Sequence, residues 1–117
     1  MKVALIFILL SLATHTFAKV EVLEKNISCE VSSAKGLKAK SLEIEPISQH
    51  RIEVKFTFQD DRVGDLQMDQ MVSSKRGELL YGVYNLRLNI SNNLSKVTIE
   101  GTDYRRTQIK IQASNCR

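Results

Sequence analysis

The stretch YNLRLNISNNLSKVTIEG, Tyr84 to Gly101, has apolar residues at alternating positions on both sides of a polar centre. Such alternation is typical of β-strands that bury one face. Asn92 and Asn93 lie at the centre, and asparagine tolerates the positive φ angles that a tight hairpin turn requires. The stretch therefore predicts a β-hairpin in which Asn92-Asn93 is a two-residue loop.

The register of this hairpin follows from pairing residues across the loop. On one face the predicted pairs are Ile90 with Ser95, Leu88 with Val97, Leu86 with Ile99, and Tyr84 with Gly101. On the other face they are Asn89 with Lys96, Arg87 with Thr98, and Asn85 with Glu100. The first face is largely apolar and the second is polar. A slip of one residue would mix the two sets, so the pattern favours this sorting.

The next connection predicts a third antiparallel strand. A three-residue loop, Thr102-Asp103-Tyr104, would pair Val97 with Ile109, Ile99 with Thr107, and Glu100 with Arg106. The last pair has opposite charges, which stabilises neighbouring strands. The same register also places Lys96 opposite Lys110, which is unfavourable. Three consecutive strands nevertheless form the best-supported part of the predicted architecture.

Alternation also runs through the earlier part of the chain. It is seen in Ile27 to Val31, in SLEIEP, and in RIEVKFTF, which begins at Arg51. The stretch Asp60 to Ser74 is ambiguous: Leu66, Met68, Gln70 and Val72 share a strand face, but helical spacing also fits. A strand is the favoured interpretation. The sequence thus predicts an all-β fold, an antiparallel meander of about six to eight strands forming either a closed barrel or a two-layer sandwich.

The N-terminus predicts export. Lys2 precedes an apolar run from Val3 to Leu12, and Thr16-Phe17-Ala18 has small residues at both positions that a signal peptidase reads. Residues 1–18 are therefore predicted to be a signal peptide, and residues 19–117 a single β-domain. The run is too short to be a membrane span. The expected location is periplasmic in a Gram-negative bacterium and extracellular otherwise, and the source kingdom stays open.

The two cysteines, Cys29 and Cys116, are predicted to form one disulfide. An even number of cysteines in an exported chain favours pairing, and with two there is one connectivity. The bond would bring the first alternating run close to the end of the chain, as closure of a barrel requires. No C-x-x-C motif indicates a metal or redox site.

The sequence gives little support for a catalytic site. Once the signal peptide is removed, His50 is the single histidine, and it lies between two predicted strands. The acidic cluster of Asp60, Asp61, Asp65 and Asp69 does not match a calcium-binding loop and suits a solvated surface. No catalytic, cofactor-binding or metal-binding residue is predicted, and no cofactor.

Two further groups of residues are candidate surface sites. Lys35, Lys38, Lys40, Arg105 and Arg106 are candidate contacts for an anionic surface, although ordinary surface charge is the favoured explanation. The formal net charge is +4, or +3 without Lys2, which is a weak preference for anionic partners. Asn26, Asn89 and Asn93 each begin an N-x-Ser pattern and are candidate glycan acceptors if the host is eukaryotic.

The leading functional hypothesis is an exported, non-enzymatic β-domain that binds a protein or an envelope surface. The alternative is a carrier of small hydrophobic ligands, with Phe56, Phe58, Tyr84, Leu86 and Leu88 lining a barrel cavity. An enzyme that uses the Asp60–Asp69 carboxylates is the weakest of the three. Nucleic acid is not an expected partner because the basic residues do not alternate with aromatic ones. The oligomeric state stays open.

Overall fold

The computed structural model describes residues 22–73 and 77–117. These residues form eight strands: β1 Ile27–Lys35, β2 Ala39–Ser48, β3 Arg51–Phe58, β4 Val63–Met71, β5 Leu79–Val83, β6 Asn85–Ile90, β7 Val97–Thr102 and β8 Gln108–Ser114. Each strand pairs antiparallel with the next, and β1 also pairs with β8, so the sheet closes into a barrel. The all-β prediction is confirmed, with the barrel rather than the sandwich. The predicted signal peptide lies outside the described residues.

The first and last strands meet at the closure of the barrel. Glu30 to Lys35 pair with Ser114 to Lys110, with an irregularity between Val31 and Ser33. The predicted disulfide between Cys29 and Cys116 is present. Two backbone hydrogen bonds between Ser28 and Arg117 extend this contact beyond β8. The disulfide therefore ties together the two strands whose pairing makes the sheet a barrel.

The ambiguous segment is a strand, as favoured. β4 pairs with β3 through seven consecutive positions, from Arg51 opposite Asp69 to Thr57 opposite Val63. Met68 is buried, and Leu66 and Gln70 are half-buried on the same face. The period-two pattern, rather than the helical one, thus describes how this segment meets the core.

The predicted register of the β6–β7 hairpin is wrong by two residues. Leu88 faces Ile99, Ile90 faces Val97, and Leu86 rather than Tyr84 faces Gly101. The loop has four residues, Asn92 to Ser95, closed by a hydrogen bond from the Ser91 N–H to the Lys96 carbonyl of 3.0 Å. The Asn93 side chain stabilises it, because its Oδ1 accepts from the Ser95 N–H at 3.1 Å and the Ser91 hydroxyl at 2.8 Å. A shift of two residues preserves the sorting of faces.

The predicted register of β7 with β8 is wrong by four residues. Ile99 faces Ile111, and Glu100 faces Lys110 instead of Arg106. The loop does contain three residues, but they are Tyr104 to Arg106. The Asp103 Oδ1 sets this position by accepting from the Arg105 and Thr107 N–H groups, both at 2.9 Å. An opposite-charge pair is retained, and the unfavourable pairing of Lys96 with Lys110 does not occur.

The two ends of the barrel differ. At the closed end lie the β2–β3, β4–β5 and β6–β7 connections, and the interior is fully buried, as at Ile44, Ile52 and Ile90. Leu23, from the segment before β1, is buried there, and its N–H lies 3.4 Å from the Tyr81 hydroxyl. At the open end lie the β1–β2, β3–β4, β5–β6 and β7–β8 connections. Residues 22–26, the described part of the segment before β1, thus cover the closed end.

Candidate functional site

A cavity of about 180 Å³ opens at the open end of the barrel. Its walls are side chains from five strands, chiefly Phe56, Leu66, Leu86, Ile99, Ile109 and Ile111. These side chains are buried or half-buried and apolar. We call this cavity the apolar cup. It is the continuation of the barrel core toward solvent.

One residue of the cup lining, Gly64, contributes no side chain. Gly64, on β4, lies opposite Phe56 and faces the cup. A Cβ atom at Gly64 would approach the Phe58 ring to 3.0 Å, so the ring occupies part of the space that a side chain would fill. Phe56 and Phe58 stack with ring centroids 6.3 Å apart and form one wall. Glycine at this position therefore allows the Phe58 ring to pack against β4, and the cup lies beside this aromatic wall.

The mouth of the cup combines exposed aromatic and charged groups. Tyr84 is 63% exposed and Tyr104 is 67% exposed, and their ring centroids are 6.0 Å apart. The Arg105 guanidinium lies 5.2 Å from the centroid of the Tyr104 ring. Asp65 and Asp103 are the acidic residues of the lining. A ligand in the cup would meet apolar surface inside and polar groups at the mouth.

Four of the five residues predicted to line a cavity do so. Phe56, Phe58, Tyr84 and Leu86 contact the cup, whereas Leu88 is fully buried toward the closed end. Alternation predicts Tyr84 on an inward strand face. It lies instead in the β5–β6 turn with a φ of 53° and is mostly exposed.

The cup also includes residues that the sequence does not single out as a site. Ile109 and Ile111 lie on β8, and Gly64 lies in the segment Asp60 to Ser74 for which strand and helix both fit the sequence. An alternating strand that has glycine at an inward position is the signal in the sequence for a gap in the interior.

The candidate basic residues gather at the open end, around the cup. Lys35 ends β1, Lys38 lies in the β1–β2 connection, and Arg105 and Arg106 form part of the β7–β8 loop. All four are exposed. Lys40 forms an ion pair with Asp61 and is less available for a partner. The structure thus brings two sequence-distant basic segments to the same end of the barrel.

The acidic cluster is not a convergent site. Asp60 pairs with Arg62 at 2.6 Å, and Asp69 pairs with Arg51 at 2.8 Å. The pKa of Asp60 is lowered from its ordinary value, mainly because its carboxylate accepts a hydrogen bond from the backbone N–H of Arg62. Asp65 has no ion pair within the described part of the chain. These carboxylates extend along β4 instead of meeting at one point.

The remaining candidates lie away from the cup or on the surface. His50 is exposed in the β2–β3 connection at the closed end, with its Nδ1 3.0 Å from the Gln70 Oε1. Residues 22–73 and 77–117 contain no group of three or more His, Cys, Asp or Glu side chains that could hold a metal ion. Nor do these ranges contain a helix long and apolar enough to cross a membrane.

The three candidate glycan acceptors differ in accessibility. Asn26, before β1, and Asn93, in the β6–β7 loop, are exposed. Asn89 is half-buried on the outer face of β6, and its Nδ2 donates to the Glu78 Oε2 at 3.1 Å. A glycan on Asn89 would displace that hydrogen bond, whereas one on Asn26 would project into solvent.

No family model matches this chain, and neither the curated proteins nor the solved structures include a match. The functional conclusion therefore depends on the geometry of the open end.

Proposed function

We propose that the protein is an exported, non-enzymatic binding module. Its open end binds a partner protein or an envelope surface and takes one apolar group of that partner into the cup. The observation that supports this most is the position of the cup: a closed barrel is covered at one end and has an apolar cavity at the other.

The size of the cup indicates the size of the group. An apolar cavity of about 150 Å³ holds one benzene molecule. The cup, at about 180 Å³, therefore has room for one aromatic ring or a branched aliphatic side chain. A long acyl chain would project well beyond the mouth. The volume of the cup therefore favours recognition of a side chain over storage of a lipid.

The residues at the mouth suit an interface. Tyrosine and arginine are enriched where proteins meet partners, and Tyr84, Tyr104 and Arg105 are exposed there. Lys38 and Arg106 add positive charge at the same end, which suits an anionic surface. The disulfide is compatible with export, because such bonds persist in oxidising compartments.

The arrangement of ionisable groups supports a role without catalysis. His50 is at the closed end, at the opposite end of the barrel from the cup. Of the carboxylates, Asp65 and Asp103 border the cup, and the Asp103 Oδ1 already accepts two backbone N–H groups of its own loop. Acid–base catalysis needs such groups close to the bound molecule. Loss of a hydrolytic activity of the wild-type protein on changing His50 or Asp65 would contradict this part of the proposal.

Binding to the cup is tested with N-acetyl-phenylalanine amide, followed by NMR of the methyl groups of Leu86, Ile99 and Ile111. We expect saturable shifts of these signals and none with N-acetyl-glycine amide. Gly64→Val should weaken binding at least tenfold, because its side chain would push the Phe58 ring into the cup or fill the cup itself. Gln112→Val, on the outer face of β8, is the matched control and should bind normally. Shifts that do not saturate, or that Gly64→Val leaves unchanged, would overturn the proposal.

The alternative function, a carrier of small hydrophobic ligands, uses the same cup. Its support is that the lining is apolar and continuous with the core. Native mass spectrometry of the protein purified from its own host distinguishes the two functions. A retained ring-sized molecule, absent from Gly64→Val, would favour the carrier. A protein free of small molecules would exclude it.

A further inference from the structure

One edge of β4 extends beyond its neighbour. β4 runs from Val63 to Met71, but it pairs with β5 only at Asp69, Gln70 and Met71. Toward the open end β5 continues only to Val83, which the register places beside Met68, and the chain then turns at Tyr84. Among the residues that the structure describes, β4 residues 63–67 therefore have a neighbouring strand on the β3 side only. At about 3.4 Å per residue this edge is roughly 17 Å long, the length of a short strand.

The register identifies which backbone groups face the empty side. The N–H of Phe58 donates to the Arg62 carbonyl at 2.8 Å, and the N–H of Gln70 donates to the His50 carbonyl at 2.7 Å. Even-numbered residues of β4 therefore bond to β3. Because bonding alternates along an antiparallel strand, Val63, Asp65 and Gln67 direct their N–H and C=O groups away from β3. Within the described residues, these three have no cross-strand pair on that side.

The edge borders the apolar cup. Gly64 and Leu66, between the three edge residues, face into the cup, and Tyr84 lies across the mouth from them. A strand added to this edge would alternate its side chains in the same way. Its residue opposite Gly64 would point inward, toward the cup. Backbone pairing and filling of the cup would thus occur together.

We infer that the edge of β4 from Val63 to Gln67 accepts an extended peptide segment of a partner protein by β-strand addition, with one apolar side chain of that segment in the cup. This inference rests on the proposed function and names the kind of partner. Backbone hydrogen bonds supply the attachment, and the cup supplies the preference for an apolar residue.

The charge on the edge defines the partner further. The Asp65 side chain is exposed, borders the cup and has no ion pair within residues 22–73 and 77–117, whereas Asp60, Asp61 and Asp69 each have one. Opposite charges directly across a strand pair are favourable. The partner segment should therefore have Lys or Arg facing Asp65, next to the apolar residue that enters the cup.

A second copy of this chain fits the same edge poorly. Antiparallel pairing of two β4 edges centred on this segment places Asp65 against Asp65 of the other copy. Like charges directly opposite each other destabilise a strand pair. An exposed carboxylate on a sheet edge is also a common protection against such self-association. The edge thus favours a partner segment with one basic residue facing Asp65 over a homodimer.

The test uses the peptide acetyl-TVKFTV-amide, in which Lys faces Asp65 and Phe faces the cup. The control peptide has the same side chains but carries N-methyl groups on the backbone nitrogens of the Lys and of the Thr two positions later. These methyl groups remove two backbone hydrogen-bond donors. We expect the unmodified peptide to bind at least tenfold more tightly than the N-methylated one. It should shift the amide signals of Val63, Asp65 and Gln67. Replacing the peptide Lys with Glu should weaken binding at least threefold.

The protein variants separate strand addition from binding to the cup. Gln67→Pro removes an N–H that faces away from β3, so the β3–β4 ladder is retained, and Gln67 is not among the residues that line the cup. We expect it to lose the peptide and to keep N-acetyl-phenylalanine amide. Asp65→Asn should bind the Lys peptide less tightly than the wild type does. Its affinity for the Glu peptide should equal or exceed that of the wild type.

Two outcomes overturn the inference. The first is that the unmodified and N-methylated peptides bind with equal affinity. The second is that, in the free protein, the amides of Val63, Asp65 and Gln67 are protected from hydrogen exchange as well as those of Gly64 and Leu66. If N-acetyl-phenylalanine amide fails to bind while the peptide still discriminates against N-methylation, the cup proposal fails and strand addition stands.

Discussion

Cys29 on β1 and Cys116, two residues beyond β8, form a disulfide that spans 87 residues of sequence. The bond lies beside the β1–β8 pairing, which is the longest-range contact of the barrel. Pairing strands so distant in sequence requires closure of a long loop, which is entropically costly in the unfolded chain. The disulfide, once formed, restricts the unfolded chain and so reduces that cost.

Removing the disulfide should therefore destabilise the protein strongly. For a loop of this length the chain-entropy model gives about 4–5 kcal/mol, a large share of the roughly 5–15 kcal/mol typical of a domain. We expect the double variant Cys29→Ala/Cys116→Ala to lose most of its stability in urea unfolding at constant protein concentration. A loss below about 1 kcal/mol would show that β1 and β8 are held together mainly by their ladder.

Gly101 should be far less replaceable than Gly64. Gly101 has a φ of 134°, and a Cβ atom there would lie 2.0 Å from the backbone carbonyl oxygen of Asn85. At Gly64 the nearest obstacle is the Phe58 ring at 3.0 Å, which can shift. We expect Gly101→Ala to cost about 3 kcal/mol or prevent folding, and Gly64→Ala to change stability by less than about 1 kcal/mol. Thermal and urea unfolding measure both, and equal losses would contradict this account.

The two asparagines of the β6–β7 loop should differ in importance. The Asn93 side chain accepts hydrogen bonds from Ser91 and Ser95, whereas Asn92 is exposed and has no positive φ. Asn93→Ala should cost about 1 kcal/mol, and Asn92→Ala should be nearly neutral. A two-residue turn would require positive φ at both positions and would make the two variants similar. Urea unfolding of the pair of variants therefore checks the observed four-residue loop.

Tyr81 should make the protein sensitive to alkaline pH. Burial raises the pKa of the Tyr81 phenol above its ordinary value of 10.0. The folded protein thus holds this proton more tightly than the unfolded chain does. The associated stability is fully present below about pH 10 and is lost as the pH rises through the raised pKa. Tyr81→Phe should show a smaller loss of stability than wild type between about pH 9 and 11, and parallel curves would contradict this mechanism.

Prediction from sequence succeeds where it depends on period two. Alternation assigns Leu86, Leu88 and Ile99 to one inner face, and all three are buried there. The predicted registers are wrong by two and by four residues, both even shifts. Alternation specifies only which face a residue occupies, so it cannot distinguish two registers that differ by an even number of residues. The side chains of Asn93 and Asp103, which close the loops by hydrogen bonds, decide the actual pairing.

Local alternation is enough to predict the all-β class and the faces of the strands, and a single available partner is enough to predict the pairing of Cys29 with Cys116. The other features depend on how distant segments meet in the folded protein. Closure into a barrel depends on β1 meeting β8, and the cup depends on which side chains meet at the end that Leu23 does not cover. The free edge of β4 depends on where β5 ends at the Tyr84 turn. These are relations between distant segments, and no local pattern encodes them.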